Sequence, residues 1–150
     1  MTDQSAPSAP HVNSPAEIRA LLTTPATWAV AGLSTDTGRT AHAIADWLHA
    51  RLSMTIVPVH PRAEAVFGQQ GYASLAAIPD GTRIDVVDCF VRSSRVGAVV
   101  DDAIEQAPRL GIGAVWLQLG VVDEAAAARA RAAGLVVVMD TCPRIEFPRL

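Results

Sequence analysis

From Thr27 to the end of the chain, short apolar runs of strand length alternate with segments whose apolar residues recur at helical spacing. The runs are TWAVAGL (27–33), MTIVPV (54–59), IDVVDCF (84–90), AVWLQLG (114–120) and LVVVMD (135–140). Between them, Ala41, Ile44, Ala45, Leu48 and Leu52 share one helical face, and Val96, Val99, Val100, Ala103, Ile104 and Ala107 share another. An Ala-rich stretch, Asp123 to Ala133, carries acids at the end where a helix dipole is positive. The runs are too apolar for a sheet with one wet face, so both faces must be covered. That requirement predicts a Rossmann-like α/β fold: a doubly wound parallel sheet of five to six strands, joined by right-handed crossovers, with helices on both faces.

The 150 residues are one domain's worth and leave no room for a second catalytic domain. Residues 1–13, rich in Ser, Pro and Ala without periodicity, are expected to form a flexible N-terminal tail, and residues 14–150 a single domain. Ser14, Pro15 and Glu17 have the spacing of a helix N-cap, with Ile18, Leu21 and Leu22 as the apolar face behind it. The segment around Gly71 to Ala73 is expected to add a short edge strand, followed by a small helix from Ser74 to Pro79.

Several functions are excluded by composition. The twelve basic residues are all arginine, so lysine-dependent chemistry, from the P-loop to Schiff bases, is absent. A net charge of −3 with no Lys/Arg-rich run argues against a nucleic-acid footprint. The apolar runs are too short to span a bilayer, and the N-terminus lacks a basic stretch followed by an apolar one, so no membrane partner and a cytoplasmic location are expected. Cys89 and Cys142 lack disulfide-scaffold or metal-site spacing, and His42 and His49 lack acidic or thiol partners at ligand spacing. Free thiols and no metal are expected.

In an open parallel sheet a ligand lies beyond the carboxyl ends of the strands, where strand order reverses, which directs attention to the loop after the first strand, AGLSTDTGRT. Gly32 permits a tight turn, and Gly38 lets the backbone approach a ligand. A helix opening near Arg39 presents free N–H groups to a phosphate, and Ser34, Thr35, Thr37 and Thr40 add hydroxyls. The alternative is a glycine turn that only joins a strand to a helix. The dinucleotide fingerprint is missing: Gly32 and Gly38 stand six apart, and the second strand ends in VHPR, with His60 and Arg62 where a ribose-binding acid is needed. Arg62 suits a ribose phosphate, found in the phosphorylated nicotinamide cofactor and in coenzyme A, or is a solvated loop charge. Gln118, near the end of its strand, either meets a ligand or satisfies backbone groups. Asp85 and Asp88 leave opposite faces of one strand and cannot act as a carboxylate pair, although Asp88 can brace a loop.

The segments VAGLS (30–34), Arg39, IVPVHP (56–61), GYASLAAIP (71–79), IDVVDCF (84–90), AVWLQLGVV (114–122) and AAGLVVVMDTCPRIEFPRL (132–150) carry a family resemblance. The chain resembles the small stand-alone bacterial CoA-binding proteins, whose domain is similar to the N-terminal domain of the succinyl-CoA ligase alpha subunit. The resemblance implies coenzyme A or an acyl-CoA as ligand, with its pyrophosphate at Gly32, Leu33, Ser34 and Arg39. Its adenosine end would lie near Pro61, Arg62, Phe90 and Arg92. The chain departs from the family pattern at Thr37 and at Thr40-Ala41, where prolines and a serine are usual, at His60 in place of Asn, and at Val91 in place of Arg.

No nucleophile, base and orienting group assemble in the sequence, so non-catalytic binding of coenzyme A or an acyl-CoA is expected, with a regulatory or redox role open. The alternatives are an NAD(P)-dependent oxidoreductase module and a CoA-ligase subunit acting with a partner chain. Cys142 lies beyond the last strand on the sheet edge that carries the glycine loop. It is therefore a candidate for a mixed disulfide with the thiol of coenzyme A, with Arg144 favouring its thiolate. The simpler alternative is a small buried hydrophobe.

Overall fold

The computed structural model describes residues 9–150. Five strands, β1 (Thr27–Ala31), β2 (Thr55–Val59), β3 (Val86–Cys89), β4 (Ala114–Leu117) and β5 (Val136–Met139), form one parallel sheet in the order β2-β1-β3-β4-β5. Five helices connect and cover it: α1 (Pro15–Thr23), α2 (Thr40–Leu52), α3 (Ser93–Leu110), α4 (Glu124–Ala132) and the short α5 (Pro143–Glu146).

Strand periodicity sorts the core into two layers. Ala29, Val57, Val87, Cys89, Val115, Leu117 and Val137 face α3 and α4, whose Val96, Val100, Ala103, Ala126, Ala127 and Ala130 are fully buried against them. Trp28, Val30, Ile56, Val86, Trp116 and Val138 face the other way, onto Ile18 and Leu22 of α1 and Ala41, Ile44, Ala45 and Leu48 of α2. On that side the Trp28 and Trp116 rings pack 5.7 Å apart, and the Trp116 indole N–H donates to Thr141 O at 2.8 Å. The doubly wound reading thus holds, with both faces covered.

Each strand is shorter than the apolar run that announced it, because the runs continue as buried chain past the last ladder bond. Leu33 after β1 and Ile84 before β3, for example, are fully buried outside the strands. The segment near Gly71 reduces to one parallel bridge, Val59 to Tyr72, rather than a sixth strand. The helix expected from Ser74 is a single 3₁₀ turn, Leu75–Ala77. Ser74 provides no side-chain cap, and Pro79 has no N–H with which to extend the turn. Arg109 of α3 instead anchors the turn, donating to Ile78 O at 2.6 Å and to Leu75 O at 3.2 Å.

The N-cap read at Ser14 is present, its Oγ accepting from Glu17 N at 3.3 Å. Of the segment read as a tail, residues 1–8 lie outside the described residues. Within residues 9–13 the Asn13 amide bonds both N and O of Met139, each at 2.9 Å, and His11 N donates to Glu124 at 2.8 Å. An asparagine side chain presents the donor and acceptor of a peptide group, so Asn13 completes the open edge of β5 and docks this segment.

Candidate functional site

From β1 the chain crosses through α2 to β2 on one side, while β3 lies on the other, so strand order reverses between β1 and β3. At that junction Gly32 has φ +98° and donates its N–H to Val59 O at 2.8 Å. A Cβ there would stand 2.4 Å from Phe90 O, so only glycine lets the turn press against the end of β3. Gly38 differs: its φ is ordinary and its nearest neighbour would be the flexible Asp36 carboxylate at 3.3 Å. The tight turn assigned to Gly32 is thus demanded by the structure, whereas nothing in the fold itself requires glycine at position 38.

Beyond the turn, Leu33 is fully buried and Ser34 nearly so, with Ser34 Oγ accepting from Asp36 N at 3.2 Å. Thr35 is exposed, and its amide and hydroxyl both point to Glu64 Oε1, at 3.4 and 3.2 Å. Asp36 accepts from Gly38 N at 3.0 Å and pairs with Arg39 at 3.6 Å. Arg39 is the N-cap residue of α2 and offers no side-chain cap, so the first amides of α2, beginning at Thr40, are left for an external acceptor.

Two further loops reach the same edge. After β2, exposed Pro61 leads to Arg62, which pairs with Glu64 at 3.4 Å. The Thr35 amide, and then the Arg62 charge, hold the Glu64 carboxyl below its ordinary range. After β3, half-buried Phe90 packs on the α2 side, and exposed Arg92 is the N-cap residue of α3, again without a side-chain cap. Two uncapped helix N-termini, each headed by an arginine, thus flank the Gly32–Phe90 junction from opposite faces of the sheet. The partial positive charge of these helix starts and the two guanidinium groups are features of the kind that favour an anion.

Gln118 stands apart. It is buried, and its Nε2 donates to Asp88 Oδ1 at 2.5 Å, so its side chain satisfies a carboxylate and not the backbone. Asp88 accordingly braces the loop after β4. Its second oxygen has no partner, and burial raises its pKa to about 7, opposed by the Gln118 hydrogen bond.

Cys89 is fully buried and Cys142 nearly so. Burial pushes both thiols up, and the Asp88 charge adds to the rise. The expected help from Arg144 to a Cys142 thiolate is outweighed: backbone donors from Arg144 and Ile145 and the Arg144 charge act downward, but desolvation dominates.

Sequence reasoning placed the Gly32 turn and a helix start near Arg39, where the structure has them. It missed Glu64 and Asp36, the carboxylates that engage Thr35, Arg62 and Arg39. Asp36 was open to detection, since an Asp two residues before a Gly in a loop is a local acceptor for its backbone. The Glu64–Thr35 contact gave no signal, because the two residues lie 29 apart in the chain.

A parallel α/β domain with two uncapped helix starts beside the turn at its topological switch point defines the class. Residues 26–148 match the family model described as a CoA binding domain, and the chain belongs to that family. A Bacillus subtilis relative, uncharacterized protein YneT, is 33% identical over 133 residues, 88% of this chain and 93% of its own length. A hypothetical protein from Pyrococcus horikoshii superposes with a TM-score of 0.81 at 31% identity, covering 97% of this chain and 99% of the other. The dinucleotide forming acetyl-coenzyme A synthetase 1 of Ca. Korarchaeum cryptofilum shares the fold over 82% of this chain and 27% of its own, with a TM-score of 0.66 at 22% identity. Among the described residues no helix is long and apolar enough to cross a membrane.

Proposed function

We propose that the chain binds coenzyme A or an acyl-CoA, without chemistry of its own, in the crevice between the ends of β1 and β3. The observation that carries this reading is the Gly32–Phe90 contact, which brings the turn onto the strand-order reversal between the uncapped starts of α2 and α3. In this reading the pyrophosphate meets the backbone of Gly32, Leu33 and Ser34, with Thr35, Arg39 and Thr40 as further donors. Pro61, Arg62, Phe90 and Arg92 serve the adenosine end, where an arginine fork suits the 3′-phosphate. Gln118, turned toward Asp88, acts from beneath the crevice. Family membership supports the ligand class.

Native mass spectrometry of freshly purified protein tests this reading. A co-purifying mass of coenzyme A or an acyl-CoA, or its uptake on addition, is the expected result. Failure to retain either, with the fold intact, overturns it.

A further inference from the structure

Among the described residues Asp88 is the only fully buried carboxyl group, and no cation reaches it. It stands in register between Val30 of β1 and Trp116 of β4, with its side chain on the α1–α2 side of the sheet. One strand repeat further toward the carboxyl edge, about 6.6 Å on, lie Phe90 and the Gly32 turn pressed against it. Oδ1 holds Gln118 and Oδ2 has no partner. The elements around it supply no counter-charge. On the β1 and α2 side stand Val30, Leu33 and Ala41, and the Trp116 N–H of β4 is committed to Thr141 O. The titratable groups that feel its charge are thiols, Cys89 beside it and Cys142 at the start of α5.

We propose that binding of a phosphate anion at the Gly32 turn loads a proton onto Asp88, so that ligand binding is coupled to proton uptake. The inference rests on the coenzyme A reading and adds its regulation. An incoming anion at this edge brings negative charge within roughly 10 Å of a carboxylate that has one amide donor and no cation. At the effective dielectric of such sites, this raises the Asp88 titration midpoint by on the order of one pH unit. Burial, partly offset by the Gln118 hydrogen bond, already places that midpoint at about 7, so ionised Asp88 is populated in the free protein at neutral pH and takes up a proton on binding. Affinity then falls as pH rises through neutrality, by nearly tenfold between pH 6 and pH 9 for a change of about that size.

Titration calorimetry in buffers of different ionisation enthalpy reads the proton count directly. Dephospho-coenzyme A is the suitable ligand, because the 3′-phosphate of coenzyme A itself titrates near pH 6. The wild type is expected to take up about half a proton more per ligand at pH 7.5 than Asp88→Asn. The variant, fixed in the neutral form, should bind more tightly than the wild type at pH 8.5. Equal proton uptake in the two proteins overturns the proposal while leaving the ligand reading intact, whereas failure of coenzyme A itself to bind the wild type overturns both. Carbon-13 NMR of the Asp88 carboxyl in the wild type gives the same answer should the variant not fold. Its midpoint must rise on saturation with dephospho-coenzyme A, and an unmoved midpoint contradicts the proposal.

Discussion

Thr35 and Glu64, on loops that follow adjacent strands, are joined twice: both the amide and the hydroxyl of Thr35 donate to the same carboxylate oxygen. Glu64 also pairs with Arg62, so one carboxylate engages two residues proposed to meet ligand phosphate. A side-chain anion here stands where a phosphate competes for the same donors.

Glu64→Gln is therefore expected to raise affinity for coenzyme A by about three- to fivefold, the effect of removing one partly screened like charge. Isothermal titration checks it. Unchanged or weaker binding would mean that Glu64 organises the site instead of competing within it.

Gly32→Ala should be severely destabilising, because it places a Cβ against the Phe90 carbonyl and holds a non-glycine residue at φ +98°. A loss of more than about 2 kcal/mol in urea unfolding is expected. Gly38→Ala, with ordinary φ and only a flexible carboxylate nearby, should change stability by about 0.5 kcal/mol or less. Similar losses for both would contradict the assignment of the close approach to Gly32 alone.

The same contrast shows what could be read from the chain. Alternating apolar runs and helical periods were sufficient for the parallel sheet, since a strand such as AVWL can be covered only from both sides. The turn after β1 followed from fold position. Ladder ends were not legible, because Leu33 and Ile84 are as buried outside the strands as their neighbours are within them. Nor was the docking of Asn13 on Met139, 126 residues away, or the Glu64–Thr35 pair. Contacts between distant segments depend on how loops fold back, which local periodicity does not encode.

Asp88 makes stability pH-dependent with a defined sign. Its folded pKa of about 7 lies above the ordinary value of 3.8, so between these the native state binds more protons than the unfolded chain. Stability attributable to this group is full below pH 4 and declines as pH rises toward 7, by at most about 1.4 kcal/mol per pH unit. Denaturant titrations from pH 4 to 8 should show a shallower decline for Asp88→Asn than for the wild type. Parallel curves would contradict an uncompensated buried carboxyl.

Both thiols should be slow. With Cys89 and Cys142 buried and raised in pKa, reaction with an aromatic disulfide reagent at pH 7.5 should proceed far more slowly than for a free thiol and accelerate on unfolding. Rapid labelling of native Cys142, abolished in Cys142→Ser, would revive a mixed disulfide with coenzyme A as a ready reaction.

The central claim is a coenzyme A crevice between the ends of β1 and β3, and competitive titration calorimetry tests it most directly. Coenzyme A should bind far more tightly than NAD or NADP. Arg39→Ala should weaken it about tenfold or more, the loss of a charge-assisted hydrogen bond worth about 1.5–3 kcal/mol, and Arg39→Lys should restore only part. Binding of NAD at least as tight as that of coenzyme A, or an Arg39→Ala protein that binds coenzyme A as the wild type does, would contradict the account.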